Sequence, residues 1–454
     1  MKKDLTTGNI TSTMLCFAFP MILGNLLQQL YNIADTLIIG QFLGSNALAA
    51  VGSAYTLMTF LISILLGLCM GSGAVFSTRF GERNMEQLKY SISASFLLIA
   101  VCTMVLNAAV FIFIDPIMHL LQIPDEIYVM MRSYLWVIFL GIAATFLYNF
   151  FASLLRAIGN SVIPLLFLGI SALLNIVLDL IFVLVVHWGA PGAAAATVIS
   201  QYVSGIGILF YTLVKFPELR LEKRHMKLKK GILPEISQFS FLTCLQQSIM
   251  NFGILMVQGR VNSFGPTVMA AFAAAVKIDS FAYMPVQDFG NAFSTFIAQN
   301  YGARKMDRIK KGIRSALITS LVFCLILSLT VCLFARPLMM IFVKTYETEI
   351  LTIGVQYLRI EGAFYCGIGC LFLLYGLYRA IQKPGMSVVL TIVSLGTRVI
   401  LAYTLSAIPA VGVIGIWVSV PIGWFLADAL GLGYYWLHRK HILPVTVTSQ
   451  NGCP

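Results

Sequence analysis

A row of polar side chains interrupts an apolar stretch near the start of the sequence, at residues 13–42. Three amides and one carboxyl recur in it at spacings of three and four: Asn25, Gln28, Asn32 and Asp35. This spacing places them on one face of an α-helix. A charged residue at the centre of a membrane helix costs about 2.5–3.5 kcal/mol on insertion scales. The cost favours a functional role for Asp35, whereas amides on such a face also serve ordinary hydrogen bonding between helices.

A second acid lies further along the same half of the sequence. Asn175 and Asp179 share one helical face at a spacing of four, and Thr197 follows in the next apolar segment. The three basic residues inside apolar segments all come after residue 235, so neither acid has a basic partner in its own half. The acids either carry protons or hold a cation through carboxyl, amide and hydroxyl oxygens. Both alternatives give a site that responds to H⁺ or Na⁺, and the candidate Na⁺ ligands are Asp35, Asn175, Asp179 and Thr197.

The second half carries a different set of charges inside its apolar segments: Lys277, Asp279, Asp288, Arg359, Glu361 and Arg398. Mutual neutralisation of opposite charges is one interpretation. The other is a second proton-linked or substrate-contacting group, with Lys277 and Asp288 as the first candidates. Together with amides of the first and seventh segments, they give the candidate substrate cleft: Gln28, Asn32, Gln247, Asn251, Lys277 and Asp288.

Long apolar segments have to position these groups. The 454 residues are 59% hydrophobic and only 11% charged, whereas soluble chains carry about 25% charged residues. Segments of roughly 20 apolar residues can cross a bilayer core of about 30 Å as helices. The predicted fold class is therefore an all-α polytopic membrane protein with 12 transmembrane helices, placed near 13–42, 47–76, 88–114, 127–152, 160–187, 190–214, 235–262, 267–298, 308–335, 349–377, 384–407 and 410–437.

The chain also repeats itself. FGERNMEQLK at 80–89 aligns with YGARKMDRIK at 301–310, a shift of 221, while YL at 134–135, RAI at 156–158, Gly189 and Gly192 recur with a shift of 223. Six spans in each half make the repeat parallel, a design that commonly serves alternating access. The predicted domains are a six-helix lobe at 1–214, a basic linker at 215–234, a second six-helix lobe at 235–440 and a tail at 441–454.

The charge distribution indicates a membrane and argues against nucleic acid. The net charge is +12, but most Lys and Arg lie in short connections that fall on one side of the bilayer, together with both termini. The positive-inside rule therefore predicts cytoplasmic termini and a multi-pass protein of the cell membrane. The five His lie at span ends or in loops. We therefore expect neither an enzyme nor a cofactor.

The ordered motifs resemble those of the multidrug and toxic-compound extrusion (MATE) family. They are PMILGNLLQQLYNIADT, GQFLGSNALAAVG, FGERNMEQLK, LLRAIGNSVIP, NIVLD and PVQDFGNAFSTFIAQNYGARKMDRIK, and together they cover essentially residues 10 to 440. The resemblance implies a secondary exporter whose two lobes form a V that opens alternately outward and inward. Its implied partners are the lipid bilayer and small-molecule drugs or toxic metabolites, usually cationic, exchanged for H⁺ or Na⁺, and a monomer is expected.

Within that family, the sequence resembles the branch of DNA-damage-inducible protein F transporters. The resemblance implies that cation coupling uses Asp35, Asn175, Asp179, Thr197 and Tyr134, and that the first helix bends at Pro20. Another branch couples through acids on its seventh and tenth helices, but here the seventh offers amides and FYCGIGCLFLLYG of the tenth has no acid. The alternative function is a lipid-linked precursor flippase of the same superfamily, which would favour a strongly cationic cleft.

Overall fold

The computed structural model describes residues 4–120, 123–227 and 229–442. Regular structure in these ranges is helical throughout, which confirms the predicted all-α class. The α-helices, in chain order, are α1 (Ile10–Phe42), α2 (Ser45–Gly81), α3 (Met85–Ile112), α4 (Ile114–Leu120), α5 (Asp125–Ile138), α6 (Ile142–Ala157), α7 (Val162–Leu180), α8 (Ala190–Lys215), α9 (Ile232–Asn262), α10 (Pro266–Gly302), α11 (Met306–Met339), α12 (Thr348–Gly362), α13 (Tyr365–Ala380), α14 (Pro384–Leu405) and α15 (Ile414–Ile442).

The spans agree with the twelve apolar segments. Among the described residues, eleven helical stretches are long and apolar enough to cross a bilayer, with α5 and α6 counted as one stretch, Asp125–Ala157. A twelfth span is obtained if α12 and α13, which meet at a 51° bend, are taken together. Both breaks fall at equivalent points of the two halves, because the short 3₁₀ turn Phe139–Gly141 between α5 and α6 lies 223 residues before the α12–α13 junction.

The internal repeat is visible in the backbone. Arg83 and Arg304 both have φ of 55°, a value that non-glycine residues seldom adopt, and they are 221 residues apart. Gly189 and Gly412 have φ of 65° and 53° at a shift of 223. The sequence repeat therefore corresponds to repeated turns that end and begin helices.

The chain divides into two compact units. The first unit comprises 1–4, 16–80 and 84–251, and the second comprises 5–15, 81–83 and 252–454. The predicted linker, 215–234, lies in the first unit, where two short 3₁₀ turns, Pro217–Leu219 and Lys223–Met226, separate α8 from α9. Most of the predicted tail, from residue 443 on, lies outside the described residues.

Each unit contains the opening segment of the other half. In the first unit, α9 packs closely on α2, where a Cβ on Gly71 would lie 2.6 Å from Ser240 Cα. The hydroxyls of Ser72 and Ser240 are hydrogen-bonded there at 2.8 Å. In the second unit, Lys305 donates to the Thr6 carbonyl at 2.7 Å. Small residues and short hydroxyl side chains, as at the contact of α2 with α9, allow membrane helices to approach each other closely.

Candidate functional site

The two acids of the first unit meet inside it. Asp35 on α1 is half-buried, Asp179 near the end of α7 is completely buried, and their carboxyl groups contact each other. Ionised carboxylates have no hydrogen to donate, so a direct bond between them requires a proton. Asp35 Oδ1 and both Asp179 oxygens have no hydrogen-bond donor among the residues that the structure describes. The pair therefore has free acceptor capacity for a proton or a cation.

Asn175 and Thr197 extend this site toward α8. Asn175, one turn before Asp179 on the same face of α7, donates from its amide nitrogen to Thr197 Oγ1 at 3.2 Å. Thr197 in turn donates to the carbonyl of Ala193 at 3.1 Å. These bonds leave Asn175 Oδ1, which is buried, without a described partner. Carboxylate, amide and hydroxyl oxygens are the ligands that hard cations prefer.

Two tyrosine side chains interact with the same acids. Tyr134 on α5 is buried and interacts electrostatically with both Asp35 and Asp179. Tyr31, one turn before Asp35 on α1, interacts with it and is hydrogen-bonded to the side chain of Gln28. We call the set Asp35, Tyr134, Asn175, Asp179 and Thr197 the two-aspartate cluster. It draws on α1, α5, α7 and α8, so a shift of any of these helices changes its geometry.

The backbone departs from regular helix beside this cluster. Directly after α7, Ile181–Val185 forms a π-helical turn, two residues past Asp179. Such turns are rare and occur often at functional sites. Helix α1, by contrast, runs from Ile10 to Phe42 as one helix across Pro20, the predicted bend. Proline removes a backbone hydrogen bond from a helix, so α1 is weakened at Pro20.

The remaining candidates are divided between the two units. Gln247 is buried on α9 in the first unit, and Asn251 donates to its carbonyl at 3.1 Å. In the second unit, Asp288 is buried on α10, whereas Lys277 is exposed and its ammonium lies 5.9 Å from the centre of the Phe342 ring. Lys277 and Asp288 are therefore on one helix but in different environments.

The acids of the second unit have tyrosine partners. Tyr365 donates to Asp279 Oδ1 at 2.7 Å, and Tyr357 donates to Glu361 Oε2 at 2.9 Å. Lys277 and Arg359, which the sequence offers as neutralising charges, are both exposed. Each is two residues from its neighbouring acid, and residues at that spacing do not face each other on a helix. The spacing of two was therefore a signal in the sequence against mutual neutralisation, although it did not identify the tyrosines as partners.

Comparison with known proteins gives consistent matches along the chain. The family model MatE matches residues 20–181 and 240–404. "Probable multidrug resistance protein YpnP" of Bacillus subtilis is 29% identical over 441 residues, which are 95% of this chain and 96% of that protein. "FAD transporter" of Shewanella oneidensis is 25% identical over 461 residues, 99% of each chain. A solved structure described as the outward-facing conformation of a multidrug resistance MATE family transporter has a TM-score of 0.90 at 23% identity, covering 96% of this chain and 98% of its own, and it shows the shared fold.

Proposed function

The chain belongs to the MatE family, and from this membership and the two-aspartate cluster we propose that it is a secondary multidrug exporter. It antiports organic, often cationic, compounds against H⁺ or Na⁺ by alternating access. The observation that carries the proposal is the contact of two buried carboxyls without a basic partner among the described residues. Two like charges so close together in an apolar interior are tolerated only when a proton or cation accompanies them.

The coupling step follows from this charge balance. The cluster binds H⁺ or Na⁺ when it is open to the side of high ion concentration, and it releases the ion on the other side. Asp35 and Asp179 supply the negative charge, while Asn175 and Thr197 supply neutral oxygens. Since these ligands come from three helices, α1, α7 and α8, ion release allows the helices to rearrange. The transport direction and the cell-membrane location, with cytoplasmic termini, belong to the same proposal.

The test is efflux of a fluorescent organic cation from inverted vesicles, with pH and Na⁺ gradients imposed separately. Asp35→Asn and Asp179→Asn are each expected to abolish gradient-driven transport, because each removes a charge that the ion must balance. Asp115→Asn, an acid outside the cluster on α4, is the matched control and keeps wild-type transport. Full gradient-driven activity in both cluster variants would refute the proposed coupling site.

The same vesicles distinguish transport of organic cations from transport of other compounds. One relative is named an FAD transporter, and a lipid-linked precursor flippase remains the alternative from the sequence. We expect gradient-driven movement of the organic cation and no comparable movement of FAD or of a fluorescent polyprenyl-pyrophosphate lipid. Exclusive movement of either anionic compound would replace multidrug export with that function.

A further inference from the structure

The break between α5 and α6 receives polar side chains from two neighbouring helices. Asn107 on α3 donates from its amide nitrogen to the Phe139 carbonyl at 2.9 Å, and Tyr202 on α8 donates to the Leu140 carbonyl at 3.0 Å. The hydrocarbon of a membrane offers no water to backbone groups that leave the regular helical pattern, so neighbouring side chains have to bond them. Side chains of α3 and α8 therefore support the break.

Gln201 on α8 lies directly against the same break. A Cβ on Gly141, the last residue of the 3₁₀ turn, would lie 2.6 Å from Gln201 Oε1, so the glycine leaves the space that the amide fills. The same oxygen accepts from the hydroxyl of Thr145, a buried residue of α6, at 3.3 Å. Gln201 therefore joins α8 to the α6 side of the break.

The break is also connected to the two-aspartate cluster. Thr197, the hydroxyl of the cluster, is one turn before Gln201 on the same face of α8. Tyr134, another member, lies on α5, which ends at the break. The cluster thus has one member on the helix that holds the break and another on the helix that a bend at the break would move.

The internal repeat provides a second example of this junction. At the shift of 223, Trp424 and Phe425 of α15 stand at the positions of Gln201 and Tyr202. There the contact is apolar, because the Phe425 ring lies 5.7 Å from the ring of Phe364, between α12 and α13. Those two helices meet at a 51° bend. A junction of this kind therefore accommodates a large bend, and in the first half it is held by hydrogen bonds instead of aromatic rings.

We propose that Phe139–Gly141 is a hinge at which α5 pivots on α6, and that Gln201 and Tyr202 are positioning residues that fasten the hinge to α8. Short 3₁₀ stretches within longer helices often mark functional hinges. The pivot moves Tyr134 with respect to Thr197 and so changes the geometry of the two-aspartate cluster. The inference rests on the proposed ion coupling, because the ion held by the cluster is what favours one position of α5.

The contact between the two acids gives the direction of this effect. Asp35 and Asp179 contact each other, and a direct bond between two carboxyls requires a proton. The structure therefore has the geometry of the ion-loaded cluster. The bonds of Gln201 and Tyr202 support this geometry, so their loss should raise the ion concentration at which α5 moves.

The first test measures distances between spin labels by pulsed electron paramagnetic resonance. It uses the full-length chain in lipid nanodiscs, with the nine native cysteines replaced. One label pair is Val129→Cys on α5 with Val214→Cys on α8, and the control pair is Leu166→Cys on α7 with Val214→Cys. All three native side chains are exposed, so labels at these positions do not disturb the packing between helices.

Ion loading should change the distance from Val129 to Val214 and leave the control distance unchanged. A pivot of about 20° would move Val129, which lies roughly 15 Å along α5 from the break, by about 5 Å. The distances are compared between high and low pH without Na⁺, and at high pH before and after Na⁺ is added. An unchanged distance with both ions would overturn the hinge, whether or not the chain transports.

The same label pair separates the hinge from the coupling site. In the double variant Asp35→Asn/Asp179→Asn, the distance from Val129 to Val214 should no longer respond to either ion. If the distance still responded there, the hinge would be retained and the coupling site would be refuted.

The second test addresses the two positioning residues. Gln201→Met keeps the length of the side chain and removes its amide, and Tyr202→Phe removes only the hydroxyl. Each should raise the ion concentration at the midpoint of the distance change by about fivefold, the factor that corresponds to one ordinary hydrogen bond. The control Tyr148→Phe removes a bond from α6 to the Pro164 carbonyl of α7, away from the break, and should leave the midpoint unchanged. Wild-type midpoints in both test variants would contradict the role of these bonds.

Gly141→Ala tests the contact with Gln201 from the other side. Its Cβ would displace the amide, so the midpoint should shift as it does in Gln201→Met. In Gly141→Ala/Gln201→Ala the amide is absent, and the shift should not exceed that of Gln201→Ala alone. Gly169→Ala is the control, because a Cβ there would meet no atom of the described residues within 4 Å. Additive shifts in the double variant would show that the alanine acts elsewhere, contrary to the contact proposed for Gln201.

Discussion

Thr197 shows how one hydroxyl organises the two-aspartate cluster. It accepts from the Asn175 amide and donates to the Ala193 carbonyl, which fixes the amide with its oxygen free for a ligand. Thr197→Ala should therefore weaken ion binding by about 1 kcal/mol, the typical contribution of one hydrogen bond. In ion titrations of transport, this corresponds to an increase of several-fold in the half-saturating H⁺ or Na⁺ concentration.

Thr197→Ser is the matched control for this prediction, because serine retains the hydroxyl and loses only a methyl group. It should keep a half-saturating ion concentration near that of the wild type. An equal loss in both variants would show that packing of the methyl group, and not the hydroxyl, matters at this position.

A second single-residue prediction concerns an acid outside the membrane-spanning segments. Asp115 on α4 accepts from Arg132 Nε at 2.7 Å and from Tyr128 at 2.9 Å, and these partners hold the pKa of its carboxyl below the usual value. A lowered pKa adds stability above the ordinary carboxyl pKa of about 3.9 and loses it as the pH falls through the lowered value.

Asp115→Asn should therefore lower the melting temperature slightly at neutral pH, and the difference should vanish in acid. The effect is small because both side chains of the ion pair are well exposed to solvent. Thermal unfolding in detergent at several pH values measures it. If the double variant Asp115→Asn/Arg132→Gln lowered the melting temperature much further than the single variant, the pair would not be the cause.

Among the helices, the contact between α2 and α9 depends on glycine. A Cβ on Gly71 would lie 2.6 Å from Ser240 Cα, and one on Gly67 would lie 2.9 Å from the Cys244 nitrogen. Since these neighbours are backbone atoms, they cannot rotate away. Gly71→Ala should destabilise the protein by about 1–3 kcal/mol, the usual cost of overpacking.

Gly52→Ala is the matched control in the same helix. A Cβ there would meet no atom of the described residues within 4 Å, and alanine favours a helix over glycine by up to about 1 kcal/mol. Thermal unfolding in detergent should therefore show a lower melting temperature for Gly71→Ala and no loss for Gly52→Ala. Equal stability of the two variants would mean that α2 and α9 separate without cost.

The helices themselves could be predicted because apolar length is a strong signal. The twelve segments and the repeated turns at Arg83 and Arg304 follow from hydropathy and from the aligned motifs. The breaks within spans were not predicted. Residues 139–141, which form the 3₁₀ turn between α5 and α6, are as apolar as their neighbours, so the residue types do not change at the break. Local composition carries no information about such a change in backbone geometry.

The contacts between side chains were predicted less well than the positions of the helices. Asn175 and Asp179 could be placed together because a spacing of four puts them on one face. The contact of Asp179 with Asp35 joins helices that are far apart in the sequence, and it was suggested by the shared lack of basic partners and by the family resemblance. Tyr365 as the partner of Asp279 had no such signal, because the chain contains 18 tyrosines and no spacing in the sequence distinguishes Tyr365 from the others.

For the whole molecule, the distribution of basic residues predicts the orientation in the membrane. Seven Lys and Arg lie at 215–230, before α9, whereas Lys344 is the one basic residue of the 340–347 connection that follows α11. The positive-inside rule therefore places the first of these connections in the cytoplasm and the second outside. Met226 lies in the first connection and Tyr346 in the second. Both side chains are largely exposed, at 68% and 71%, so both positions are suited to labelling.

Single cysteines at these positions test the orientation, in a chain whose nine native cysteines are replaced. In intact cells, a membrane-impermeant maleimide should label Tyr346→Cys and should label Met226→Cys only after the membrane is opened. The similar exposure of the two native side chains means that a difference in labelling reports sidedness rather than burial. Labelling of Met226→Cys in intact cells would show that the orientation is the reverse of the predicted one. The ion gradient that drives export would then have to act from the opposite side.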